Sequence, residues 1–248
     1  MTGTVIITGA GRGIGAATAR LAAQRGYAVC VNYRSNRAAA DGVVADIERA
    51  GGKALAVAAD IASESEVMRL FETADRRLGP LTALVNNAGT LEQQMRLEQM
   101  DASRLERVFA VNVVGSFLCA REAVRRLSTR HGGRGGAIVN VSSGAARLGA
   151  PNEYIDYAAS KGALDTMTVG LAQEVAADGI RVNGVRPGYI YTELHAQGGE
   201  PGRVDRVKQY VPLKRGGQPE EVARAILWLL SDEASFSTGT FIDVTGGR

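Results

Sequence analysis

Short apolar runs alternate with longer amphipathic stretches along the whole chain. Seven such runs lie at 5–8, 28–33, 54–58, 83–85, 137–141, 181–185 and 241–244, and Gly, Asp or Asn bound most of them. Runs apolar on both faces predict strands buried on both sides of a parallel sheet. Between them, apolar positions recur at helical spacing over 14–25, 38–50, 64–78, 103–127, 157–177 and 220–230. Ser63, with Glu66 three residues later, has the form of a capping box at the start of the third helix. This alternation predicts an α/β fold, a doubly wound seven-stranded parallel sheet with helices on both faces. No linker or repeat interrupts it, so residues 1–248 read as a single domain. One segment, 193–218, is rich in Gly, Pro and charge and has poor periodicity. A loop this long in a compact domain is expected to be functional, here a lid over a ligand. A glycine-rich patch at 132–136 reads as a flexible helix-to-strand connection.

Composition narrows the function classes. The 29 basic and 26 acidic residues are interspersed and nearly balance, which argues against a nucleic-acid or membrane surface. The 31 glycines among 248 residues exceed the usual ~7% and point to tight turns and close backbone approaches. No apolar run approaches the ~18 residues of a membrane span. The chain runs directly into Thr4-Val5-Ile6-Ile7-Thr8, without the form of a signal peptide. Cys30 and Cys119 lie far apart in apolar runs, which excludes a disulfide framework or a cysteine zinc site. Buried thiols in a reducing, cytoplasmic compartment are expected. His131 and His195 are too few for a histidine metal site, and both read as non-catalytic surface residues.

Thr8-Gly9-Ala10-Gly11-Arg12-Gly13-Ile14-Gly15 follows the first strand and opens the first helix. Glycines let the backbone approach a pyrophosphate, and the helix N-terminus offers it free N–H groups and a positive dipole end. In this strand–turn–helix context the loop predicts a dinucleotide site in a Rossmann fold. NAD-binding folds of this kind carry an acid at the end of the second strand. Here the segment is Val31-Asn32-Tyr33-Arg34-Ser35-Asn36-Arg37, without one. Arg34 and Arg12 instead suit a ribose 2′-phosphate, so NADP(H) is the expected cofactor.

The sequence resembles the short-chain dehydrogenase/reductase family over essentially its whole length. Thr8–Gly15 is similar to the family's glycine motif, and Asn86-Asn87-Ala88-Gly89 to its N-N-A-G. Tyr157-Ala158-Ala159-Ser160-Lys161 is similar to its Y-x-x-x-K, with Ser143 after the fifth strand and Asn112 in Val111-Asn112-Val113. The resemblance implies cofactor contacts from Gly9, Arg12, Gly13, Ile14, Gly15, Arg34 and Ser35, and from Asp60 (at the adenine) and Ile61. It implies the same of Asn87, Ala88, Gly89, Tyr157, Lys161, Pro187, Gly188, Ile190 and Thr192. It further implies that Lys161 binds the nicotinamide ribose, that Asn112 anchors a water in a proton relay, and that the protein is a homotetramer.

The chemistry follows from the residues themselves. Tyr157 and Lys161, four apart on a helix, share a face. A neighbouring ammonium is expected to lower the phenol's pKa from ~10. Tyr157 then exchanges a proton with a carbonyl or alcohol oxygen as hydride moves at carbon. Ser143 hydrogen-bonds that oxygen, with Ser142 the competing assignment, and Tyr154 is a decoy seven residues before Lys161. The expected substrate is a small carbonyl or secondary alcohol compound. Family patterns of 3-oxoacyl-acyl-carrier-protein reductases and glucose 1-dehydrogenases are the specific alternatives. Asp178 stands where many carrier-linked members have a basic residue, although Arg125, Arg126 and Arg130 offer compensating charge. An NADP-binding protein without turnover is the reading from another class, and the joint presence of Tyr157 and Lys161 argues against it. For the assembly, Val108, Val111, Phe117 and Leu118 on one helix and Leu164, Met167 and Leu171 on another are expected to extend beyond one core-facing stripe.

Overall fold

In the computed structural model, residues 3–248 form one α/β unit. The first half comprises β1 (Thr4–Ile7), α1 (Gly13–Gln24), β2 (Ala28–Tyr33), α2 (Arg37–Arg49), β3 (Lys53–Ala58), α3 (Glu64–Leu78) and β4 (Leu81–Asn86). The second half comprises α4 (Ala102–Phe109), α5 (Ser116–Leu127), β5 (Gly136–Val141), α6 (Ala145–Leu148), α7 (Ile155–Val175), β6 (Ile180–Pro187), α8 (Leu194–Gln197), α9 (Arg203–Val207), α10 (Pro219–Leu230) and β7 (Phe241–Val244). The seven strands are parallel in the order β3-β2-β1-β4-β5-β6-β7. The strand order reverses direction between β1 and β4. There the two crossovers leave on opposite faces and a crevice opens beyond the strands' carboxyl ends.

The period-2 alternation of each strand feeds two cores. Val5 and Ile7 of β1 pack with α1, α2 and α10, whereas Ile6 packs with α3, α5 and α7. In β5, Val139 and Val141 face the first core and Ile138 the second. Burial on both faces is why these strands read as continuous apolar runs.

Three sequence expectations change. The helix expected over 103–127 is two helices, α4 and α5, joined by a π-helical turn over Ala110–Gly115. At Gly115 a Cβ would stand 2.8 Å from Ile61 Cδ1, so the wide turn brings bare backbone against the β3–α3 connection. The segment 193–218 is not a plain loop, since it holds α8, α9 and a 3-10 turn at Lys208–Tyr210. Helices of four and five residues are too short to show a periodicity. The Ser63 side chain makes no cap bond to its helix. Glu66 instead accepts the backbone N–H of Asp60 at 2.9 Å, which fixes the loop after β3.

The residues offered for an assembly surface are mostly intramolecular core. Val108, Leu164 and Met167 are buried, and Val111, Leu118 and Leu171 pack against buried clusters. Of that set Phe117 is exposed, as are Phe109 on α4, Val114 in the π-helical turn and Ile155 and Val169 on α7. The β-carbon direction along a helix, not composition, separates the two sets.

Candidate functional site

A continuous cavity of about 790 Å³ lies over the carboxyl ends of the strands. Its base is locked by Thr8 and Asn87. Thr8 Oγ accepts the backbone N–H groups of Asn87 and Ala88, both at 3.0 Å, and Asn87 Nδ2 donates to Thr8 O at 2.8 Å and Gly9 O at 3.1 Å. Gly9 has φ +62°, and a Cβ there would sit 2.9 Å from Ala88 Cα, so glycine is required for this approach. From the other side, buried Asn32 accepts the Gly9 N–H at 3.2 Å and donates to Val57 O and Ala59 O. The glycine loop is thus pinned to β4, β2 and β3 before any ligand arrives.

The start of α1 fits a diphosphate. Its N-cap Arg12 supplies no side-chain cap, and no acid occupies the first turn. The uncapped N–H groups open beside the glycines into the cavity. Arg34, Ser35, Asp60, Ile61, Asn87, Ala88 and Gly89 line the same end. Arg34 is exposed and makes no ion pair among the described residues, as a phosphate-binding arginine requires. Arg12 lines this end too, and its guanidinium donates to Gln197 Oε1 of α8 at 3.3 Å, tying the glycine loop to that helix. Pro187, Gly188, Ile190 and Thr192 line the wall after β6.

At the far end Ser143, Tyr157 and Lys161 meet. Ser143 lies near enough to the Tyr157 phenol to favour its ionised form, and its Oγ accepts the Ala145 N–H at 3.1 Å. Lys161 Nζ lies 5.7 Å from the Tyr157 ring centre and donates to Val141 O at 2.7 Å. Ser142 Oγ instead donates to Lys161 O at 3.3 Å. Tyr154 is no second donor, since its hydroxyl bonds Gly198 O at 3.1 Å and pins the lid.

A family model described as Enoyl-(Acyl carrier protein) reductase matches residues 9–248. An uncharacterized oxidoreductase of Escherichia coli is 61% identical over 243 residues, covering 98% of both chains. A 3-oxoacyl-[acyl-carrier-protein] reductase of Synechocystis is 40% identical over 247 residues, covering 98% of this chain and 95% of that protein. The crystal structure of a short-chain type dehydrogenase/reductase from Mycobacterium marinum superposes with a TM-score of 0.92 at 33% identity, covering 99% of this chain and 94% of that one. The chain belongs to the short-chain dehydrogenase/reductase family.

Within that family frame, the electrostatics of the pair run opposite to the sequence expectation. Burial pushes the Tyr157 phenol up to about 12, and nearby Ser143 only partly opposes it. Burial also pulls Lys161 down to about 8, with Asp165 one turn along the helix acting against it. Lys161 points its ammonium at Val141 O, so desolvation of both groups outweighs their mutual effect. Cys30 and Cys119 are free, buried thiols, and burial holds each up at about 12. Among the described residues no cluster of His, Cys, Asp or Glu has metal-binding form, and no helix is long and apolar enough to cross a membrane.

Asn112 stands behind the cavity wall, fully buried in the π-helical turn. Its amide donates to Thr90 O and Ser160 Oγ, both at 2.9 Å, and its Oδ1 accepts the Thr90 N–H at 2.8 Å. Ser160 Oγ in turn donates to Tyr157 O at 2.7 Å. The side chain therefore braces α7 against the irregular segment after the N-N-A-G motif.

Sequence reasoning missed a second brace. Arg104 and Asp156, 52 residues apart, form a buried two-pronged ion pair of 2.8 and 3.3 Å. Arg104 also donates to Gln93 O at 2.7 Å. The pair ties α4 and the cavity-wall segment to the residue just before Tyr157. Each partner alone reads as one more charge on an amphipathic helix, and no local pattern marks their meeting. Removing one partner leaves a buried charge unpaired, at a cost of ~3–5 kcal/mol. Arg104→Ala is expected to lose that much in denaturant unfolding, whereas Arg104→Met combined with Asp156→Leu loses far less. Equal losses would show that the charges themselves are not what binds these elements.

Lys161 also gives stability a pH dependence. With its folded pKa near 8, below its ordinary 10.5, the unfolded chain binds more protons between those values. The penalty is full below about 8 and shrinks as pH rises toward 10.5. The stability difference between wild type and Lys161→Met should therefore move in favour of wild type over that interval. A flat difference would place the ammonium in a solvated setting.

Proposed function

We propose that this protein is an NADP(H)-dependent oxidoreductase that interconverts a carbonyl compound and its secondary alcohol. The observation that carries the reading is that Ser143, Tyr157 and Lys161 line one cavity whose other end is an uncapped glycine cradle. The bound nicotinamide would supply or accept the hydride. Tyr157 exchanges the proton at the substrate oxygen, and Ser143 hydrogen-bonds that oxygen as charge develops. Lys161 holds the nicotinamide ribose beside Tyr157, and Asn112 anchors the water that reloads the proton. A phenol held near 12 stays protonated at neutral pH, which favours reduction there, and oxidation gains as pH rises.

Arg34 and the acid-free end of β2 support NADP(H) over NAD(H). A non-catalytic cofactor sensor has no use for Tyr157 and Lys161 facing the cavity together. The acyl-carrier-protein alternative loses its compensating charge. Arg125 pairs with Glu122, Arg126 with Asp75 and Glu122, and Arg130 with Asp178. Those three arginines are held by acidic neighbours of their own, which supports a small-molecule substrate.

We place the protein in the cytoplasm as a homotetramer. Exposed Phe109, Val114 and Phe117 on α4–α5 and Val169 on α7 support one interface between copies, while Trp228 and Phe236 support a second near β7. Light scattering should return about four times 26.1 kDa, and a monomer mass overturns this assignment.

Cofactor and catalyst are tested together. NADPH should bind more tightly than NADH, and Arg34→Asp should weaken NADPH far more than NADH. Tyr157→Phe should cut turnover by roughly 10²–10⁴-fold while leaving NADPH binding in place. Equal loss of both cofactors, or retained turnover, moves these roles elsewhere.

A further inference from the structure

We infer that the substrate end of the cavity selects a neutral, largely apolar ketone or secondary alcohol, and that Glu153 enforces this by neutralising Arg203. The inference rests on the oxidoreductase reading above and names the substrate class for that site.

The wall facing Tyr157 is largely apolar, with Leu91, Leu148, Pro151, Leu194 and Val207 on it. Into this wall projects Arg203 of α9, only 5% exposed. A bare guanidinium in such a place is a ready two-pronged receptor for a substrate carboxylate. Here the fork is already filled. Arg203 Nη1 donates to Glu153 Oε1 at 3.0 Å and to Glu200 Oε2 at 3.2 Å, and Nη2 donates to Glu153 Oε2. Its planar group lies 5.1 Å from the Tyr154 ring centre and 5.6 Å from that of Tyr189. Arg206, at the mouth, is matched in the same way by both oxygens of Glu200. The two guanidinium charges of Arg203 and Arg206 face two carboxylates, so neither offers an incoming anion an unmatched charge, and a further cavity arginine, Arg248, donates to the Tyr189 hydroxyl at 2.9 Å.

Several neutral polar groups of this end are likewise engaged. The Tyr154 hydroxyl holds Gly198 O, His195 Nε2 lies 3.1 Å from Ile190 O, and the Gln197 amide bridges Arg12 and Thr90. Burial also holds the His195 pKa down, so its ring adds no cation at neutral pH. A sugar would therefore bury hydroxyls without partners, which is costly. An apolar ring or chain asks only for Tyr157 and Ser143 at its one oxygen.

The test uses two compounds that differ by one charge, 4-oxocyclohexanecarboxylate and its methyl ester. Binding to the NADP⁺-loaded protein is measured by calorimetry, and turnover with NADPH is measured alongside. Wild type should favour the ester by about 10-fold or more in binding, the scale of one unmatched charged contact. Glu153→Gln frees the Arg203 fork and should shift the ester-to-carboxylate ratio by about 10-fold toward the carboxylate. Glu153→Asp keeps the charge and should retain the wild-type preference. Tighter binding of the carboxylate by wild type, binding of neither compound, or an unchanged ratio in a folded Glu153→Gln overturns the inference. Ester-selective binding with no turnover leaves the inference standing and removes the oxidoreductase reading instead.

Discussion

Thr8 and Asn87 clamp the ends of β1 and β4 at the point where the strand order reverses, and the site is assembled outward from that clamp. Two neighbouring parallel strands whose crossovers leave on opposite faces must part beyond their carboxyl ends. Four short hydrogen bonds stop that parting from becoming disorder. They fix Gly9 where its backbone meets Ala88, and so fix the start of α1. Asn32 repeats the device from the β2 side. A phosphate cradle made of backbone needs this rigidity, because N–H groups cannot re-aim as side chains do.

The opposite end of the cavity is organised by burial and pairing. Tyr157 and Lys161 are both pushed toward their neutral forms by desolvation. Asn112, Ser160 and the Arg104–Asp156 pair then hold the first turn of α7 from two sides. Arg203 and Arg206 are matched by Glu153 and Glu200, while Arg34 at the opposite end of the cavity has no ion partner among the described residues. Fixed polar groups that need no reorganisation are the physical basis of a preorganised site.

Much of this was legible because it is local. Strand and helix periodicity, the glycine loop at a strand–helix junction and the i,i+4 spacing of Tyr157 and Lys161 lie within a few residues of one another. The helix over 103–127 was read as continuous because the π-helical turn preserves apolar content while shifting register by one residue. The lid helices were missed because each is about one turn long.

The sequence by itself determined the layered fold, the cofactor cradle and the residues available for proton exchange, since those depend on spacing along one chain segment. The tertiary structure alone decided that Ser142 is bonded to Lys161 O and how Arg203 meets Glu153, 50 residues away. It also made burial, rather than Lys161, the dominant influence on Tyr157. A nearby charge can be inferred from spacing, but desolvation is set by everything packed around a group, and only the folded chain supplies that surrounding.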